Sequence, residues 1–161
     1  MALAALGPEG WAVLTKGILS TNTFAAGCSI WALGMYRVAG EGTIENLKHV
    51  MTSGAYDYLD AQAAWALAEI GRNKGELVPL LAAGLKSRRE DMRWACALAL
   101  GELGPDARAA VPALVEALQD KKPKVRQDAA QALQEIDPAA AAQAGVGNPQ
   151  MARHVPKTLF Y

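Results

Sequence analysis

The residues able to move protons, attack carbonyls or hold metals are few and scattered. The 161-residue chain has two histidines, His49 and His154, and two cysteines, Cys28 and Cys96. No His/Cys cluster has metal-site spacing, and no glycine-rich phosphate loop precedes a helix. Each cysteine lies in an apolar helical pattern far from the other. That predicts buried free thiols rather than a disulfide or metal ligands, and it fits a reducing, cytoplasmic setting. His49 reads as a solvated surface side chain. The expectation is a chain with no catalytic residue, no metal and no cofactor, and therefore not an enzyme.

Charge is the one concentrated chemistry. Lys86, Arg88, Arg89 and Arg93 fall in one turn and the start of the next helical pattern. Lys121, Lys122, Lys124 and Arg126 fall in the next equivalent turn. Such a basic edge would suit an acidic peptide or a phosphate backbone. Glu90, Asp91, Asp120 and Asp128 lie among these cations and partly neutralise them, so a solvated edge is the plainer reading. Over the whole chain sixteen basic residues balance sixteen acidic ones. A dedicated nucleic-acid binder carries a basic excess, because phosphate neutralisation supplies most of its affinity.

The elements that must position these groups are helices. Ala and Leu dominate, strong helix formers abound and β-branched runs are scarce. The chain also repeats itself. Trp65-Ala66-Leu67-Ala68-Glu69-Ile70-Gly71 returns 33 residues later as Leu98-Ala99-Leu100-Gly101-Glu102-Leu103-Gly104, and again as Gln131-Ala132-Leu133-Gln134-Glu135-Ile136-Asp137. Trp31 to Arg37 matches one period earlier, and Met1 to Gly7 once more. In the same register Val78, Leu81 and Leu85 align with Val111, Leu114 and Leu118, and with Ile44, Leu47 and Met51. Each period holds two helical patterns. The first, as in Asp91 to Leu103, buries Met92, Cys96, Leu100 and Leu103, with Ala95, Ala97 and Ala99 allowing close approach. Gly71 and Gly104 then cap it. The second buries Val111, Leu114 and Leu118 and carries Pro79 or Pro112 in its first turns. A lone hairpin cannot bury such a stripe, whereas stacked hairpins share one core. The fold class expected is all-α: an α-solenoid of about four to five stacked helical hairpins of roughly 33 residues. Its repeats run over about 1–20, 21–54, 55–88, 89–121 and 122–147. A tail, 148–161, follows, whose Val155, Leu159 and Phe160 are expected to fold back and cap the last repeat.

Gly17 to Tyr36 is twenty residues without a charge, long enough to span a bilayer. The polar run Ser20-Thr21-Asn22-Thr23 inside it argues instead for two helices joined by a turn. Ala25-Ala26-Gly27-Cys28 has the look of a lipoprotein box, but the basic and apolar regions of a signal peptide are missing.

Lys124 to Leu133 resembles the first helix of short HEAT repeats. Ala99-Leu100-Gly101-Glu102-Leu103-Gly104-Pro105, followed by Ala110-Val111-Pro112-Ala113-Leu114, resembles the turn and second helix of the same family, in its bilin-lyase-like subtype. The likeness is specific over 59–137 and looser over 8–58. It implies an α-solenoid and a protein-interaction role. The His-Glu pairs of di-iron hydroxylases with this architecture are absent, as is the charge of the DNA-glycosylase relatives. No motif carries over bilin-lyase activity.

These readings converge on a non-catalytic protein–protein interaction scaffold or adaptor. The alternatives are a nucleic-acid-binding or repair-type HEAT protein using the basic edge, and an accessory subunit of a lyase-like enzyme. In HEAT-like stacks the second helices line the concave face, which places Glu45, Lys48, His49, Glu76, Lys86, Arg108, Glu116 and Gln119 as the partner-binding surface. The expected partner is another protein or protein segment, or a second copy meeting the poorly capped N-terminal end. Neither nucleic acid nor membrane is expected. Trp31, Trp65 and Trp94 recur near first-helix cores and are assigned to packing; Trp11, near the open end, is the expected exposed aromatic anchor.

Overall fold

The computed structural model of the chain describes residues 7–53, 59–71 and 74–147, which form helices and turns with no strand among them. In chain order the helices are α1 (Pro8–Gly17), α2 (Thr23–Met35), α3 (Thr43–Ser53), α4 (Leu59–Ile70), α5 (Lys74–Gly84), α6 (Glu90–Leu103), a 3-10 segment (Gly104–Ala110), α7 (Val111–Ala117), α8 (Pro123–Ile136) and α9 (Pro138–Gln143). First helices pack in file, α2 on α4 on α6 on α8. Each second helix packs on the first helix that follows, as α3 does on α4 and α5 on α6. Matching positions of the repeat are thus neighbours in space, and the fold is the helical-repeat solenoid expected.

The strictest column is the core. Leu33, Leu67, Leu100 and Leu133 recur at one period, each at most 1% exposed. On the second helices Leu47, Leu81 and Leu114 are fully buried. Burying each such side chain stabilises by roughly 1.5–3 kcal/mol, and no single hairpin could bury it alone. Small residues let the first helices close up. A Cβ on Gly34 would stand 2.7 Å from Trp65 Cζ3 and 3.0 Å from the Ala66 Cα on the next helix.

Local signals set the ends. The side chain of Asn22 accepts hydrogen bonds from Phe24 N (3.0 Å) and Ala25 N (3.2 Å), capping α2. The polar run inside the uncharged stretch is therefore a turn and a cap. Among the described residues no helix is long and apolar enough to cross a membrane. Asn22→Ala is expected to remove about 1 kcal/mol, read as a lowered midpoint in thermal unfolding. Gly71 and Gly104 take the positive φ expected of them, 65° and 57°. Arg37 stands in the same column and takes φ 52° without being glycine. Its side chain reaches Glu69 on α4, with Nη2 at 2.9 Å. In the last period Asp137 replaces the glycine with φ −150° and caps α9 by accepting from Ala140 N.

One local expectation fails. Pro112 lies at the start of α7, but Pro79 lies inside α5. The reason is where the helix begins. In this repeat α5 already starts at Lys74, whereas the equivalent stretch before Pro112 is a 3-10 segment. The bond Pro79 cannot donate would have gone to the carbonyl of exposed Gly75, where solvent replaces it.

The expected tail cap (148–161) and the half-length first helix (Met1–Leu6) lie outside the described residues.

Candidate interaction surface

Three surfaces carry the candidate side chains. The first is the exposed side of the second helices. Lys48 Nζ lies 2.6 Å from Glu76 and 3.4 Å from Glu45. Lys86 Nζ lies 3.0 Å from Glu116, Lys74 Nζ 2.5 Å from Asp106, and Arg108 Nε 3.3 Å from Asp137. The predicted residues Glu45, Lys48, Glu76, Lys86, Arg108 and Glu116 are therefore each engaged in ion pairs, most of which cross repeats. The Glu76 hydrogen bond holds the Lys48 ammonium above its usual range. His49 and Gln119 are exposed. Pairs this accessible contribute little stability each.

The second surface is the basic edge, and here the structure corrects the expectation. Arg93 is 5% exposed and is an internal tie. Its Nε and Nη2 donate to the Asp120 carboxylate at 2.7 and 3.0 Å, and its Nη1 donates to the carbonyls of Ser87 and Arg88. Arg126, one period on, repeats the last device by donating to the carbonyl of Asp120 at 2.7 Å. Arg89 sits between Asp60 (3.2 Å) and Asp91, Lys122 pairs with Glu90, and Lys124 pairs with Asp128 at 2.8 Å. With Lys86 held by Glu116, the exposed Arg88 and Lys121 remain as the edge's outward cations. A bidentate guanidinium satisfies turn carbonyls that stacking would otherwise bury unpaired, so these arginines are fitted to the joints between repeats.

The third surface was not foreseen. On α2 the side chains Phe24, Cys28, Trp31 and Met35 follow helical spacing and are all exposed, Phe24 by 77% and Trp31 by 40%. They continue into two adjoining cavities of about 430 and 240 Å³ that share Trp31 and Gln62. The larger runs across α2, α4 and α6 and is walled by Trp31, Trp65, Trp94 and Leu98, with Asp91 at its side. The smaller adds Phe24 and Cys28. Gln62 lines both, and its Oε1 is buried without a hydrogen-bond partner. Trp94 also carries Lys124 Nζ 5.9 Å from its ring centre, a cation–π distance. The Arg89 guanidinium holds the Asp91 carboxyl below the usual carboxylate range, while burial pushes Asp60 up.

Two expectations are corrected by this groove. Cys28 is exposed, whereas Cys96 is buried as expected, with its thiol pushed up to about 12 by desolvation. Trp11 is half-buried, whereas Phe24, Trp31 and Tyr36 are exposed, the first two of them at the groove. The signal was present in the columns. The core column is Leu in all four periods, but the Trp31, Trp65, Leu98 column ends in Gln131, and the Cys28, Gln62, Ala95 column ends in Asp128. Gln131 is exposed, so the tryptophan column runs along the margin of the core, whereas Asp128 stays buried and is paired with Lys124.

Residues 77–144 match the family model for HEAT repeats. No curated protein matches the chain. Among solved structures it is similar to the complex of CpcE and CpcF of phycocyanin lyase from Nostoc sp. PCC7120, at 23% identity and TM-score 0.68, covering 86% of this chain. It spans 58% of that neighbour's length. Two engineered proteins are also similar. One has 22% identity and TM-score 0.65 over 99% of this chain and 77% of its own. The other has 24% identity and TM-score 0.59 over 89% and 43%. At these identities the likeness is one of fold, a stack of helical repeats. Among the described residues no group of His, Cys, Asp and Glu is arranged to hold a metal ion.

Proposed function

We propose that the chain is a non-catalytic protein-interaction module whose binding surface is the aromatic groove on the outer side of the first helices. The observation that carries this reading is the groove itself: contiguous Phe24, Trp31, Trp65 and Trp94 spread over three repeats, with Phe24 and Trp31 left in solvent. Solvent-facing aromatics that cluster in one concavity are what an interface buries at its centre. The second-helix face, by contrast, has its charges matched to one another, and a partner there must break those pairs or lie over them. A subunit role in a two-chain assembly is supported by the structural neighbour, which is a complex of two proteins. The basic edge supports nucleic-acid binding less well, because most of its cations are engaged within the chain.

The test uses exposed residues, so that the fold survives. A partner captured on the wild-type chain is purified and titrated against the Phe24→Ser, Trp31→Ser double variant. Loss of two aromatic anchors is expected to weaken binding by at least about tenfold, with unchanged circular dichroism. Equal affinity for both proteins removes the groove from the interface.

A further inference from the structure

The groove needs an occupant, and the chain carries one. We propose that the chain's own C-terminal segment, 148–161, docks in the aromatic groove in cis and competes there with the partner. This rests on the groove being the binding surface.

Three observations point to it. The first is charge. Asp60 and Asp91 share the single guanidinium of Arg89. Glu102 and Glu135 lie one helical turn beyond Leu98 and Gln131 on the same face, and neither has a cation partner among the described residues. Lys124 and Arg37 are already matched by Asp128 and Glu69. Unmatched carboxylates therefore stand at the C-terminal ends of α6 and α8, the margin away from the outward Arg88 and Lys121 that precede those helices. The segment 148–161 contains Arg153, His154 and Lys157 and no Asp or Glu, so the two are complementary.

The second is reach. Fourteen residues follow Gly147, and extended chain spans about 3.3–3.6 Å per residue. Neighbouring helices stack about 8–10 Å apart, so the four steps from α9 through α8, α6 and α4 to α2 lie within that length. The third is apolar matching. Val155 and Leu159-Phe160-Tyr161 give the segment side chains for the indole-lined walls, and the amide of Gln62 supplies a polar partner for its backbone. The outer face of α8 offers the segment much less. There Gln127, Gln131 and Gln134, all exposed, occupy the columns held by Trp94, Leu98 and Gly101 one period earlier.

Tryptophan fluorescence reads this directly. Three of the chain's four tryptophans line the groove, and 148–161 contains none. Deleting 148–161 is expected to red-shift the emission and increase acrylamide quenching, and Leu159→Ser, Phe160→Ser, Tyr161→Ser in the full-length chain should do the same. A synthetic peptide of 148–161 added to the shortened chain should reverse both changes. The peptide with Arg153→Glu and Lys157→Glu should bind about tenfold more weakly. Identical emission and quenching with and without the segment overturn the proposal. Protection that appears only as concentration rises also overturns it, by assigning the groove to the segment of a second copy. Either failure leaves the Phe24, Trp31 partner titration standing, and an insensitive titration leaves the fluorescence result standing, so the two readings fail separately.

Discussion

Replacing Arg93 with alanine is expected to cost about 3–5 kcal/mol of unfolding free energy, a large part of the 5–15 kcal/mol typical of a domain. The Arg93 side chain is 6% exposed and that of its partner Asp120 12%. Deleting the guanidinium leaves the largely covered Asp120 carboxylate with the Lys122 N–H alone and strands the Ser87 and Arg88 carbonyls. Arg93→Lys keeps the charge but not the fork, so it should fall between the two. Urea melts of the three proteins check the order. The pH dependence follows from Asp120, whose carboxyl is held below the usual range by the Arg93 hydrogen bonds. A depressed carboxylate contributes stability that is present above its unfolded pKa and is lost as pH falls through the folded value. The gap between wild type and Arg93→Ala should therefore be full at neutral pH and narrow only below about pH 4. A gap that does not change between pH 7 and the acid transition contradicts this role for the pair.

Leu100→Ala is the second large effect, at about 2–5 kcal/mol. Leu100 is fully buried on α6, between α4 and α8. Nearest-neighbour stacking dictates where the damage is felt. Hydrogen exchange should accelerate in α6, α4 and α8, and much less in α1, which packs on none of them. The exposed Val115 on α7 is the control, since Val115→Ala should change stability by less than about 0.5 kcal/mol. Uniform acceleration along the whole chain would mean that the repeats unfold as one unit.

The fold was legible because its strongest signals are redundant. The four leucines of the core column, the cap glycines at 71 and 104 and the second-helix triads each predicted the same register, and the stacked helices obey it. The site was less legible for a physical reason. Periodicity tells which residues share a column, and a column at the margin of the core reads the same whether the next repeat covers it or not. Trp31 and Trp65 share a column with Leu98, so packing followed naturally, yet the polar Gln131 at its end was the sign of a solvent margin. Arg93 failed in the opposite direction. Charge type alone suggested a wet edge, but the Asp120 it meets lies 27 positions away, across a joint that the sequence does not display, and the turn carbonyls it satisfies lie five and six residues back. Pro79 shows the limit at the shortest range, since one repeat starts its second helix earlier than the next.

Site-specific photocrosslinking separates the outer groove from the second-helix face most directly. A benzophenone side chain is placed at position 24 or 31 in the groove, or at position 49 or 119 on the opposing candidate face, and each full-length chain is irradiated with the purified partner. Crosslinks from 24 and 31, with none from 49 and 119, are the expected result. Crosslinks confined to 49 and 119 would contradict it and return the partner to the ion-pair ladder.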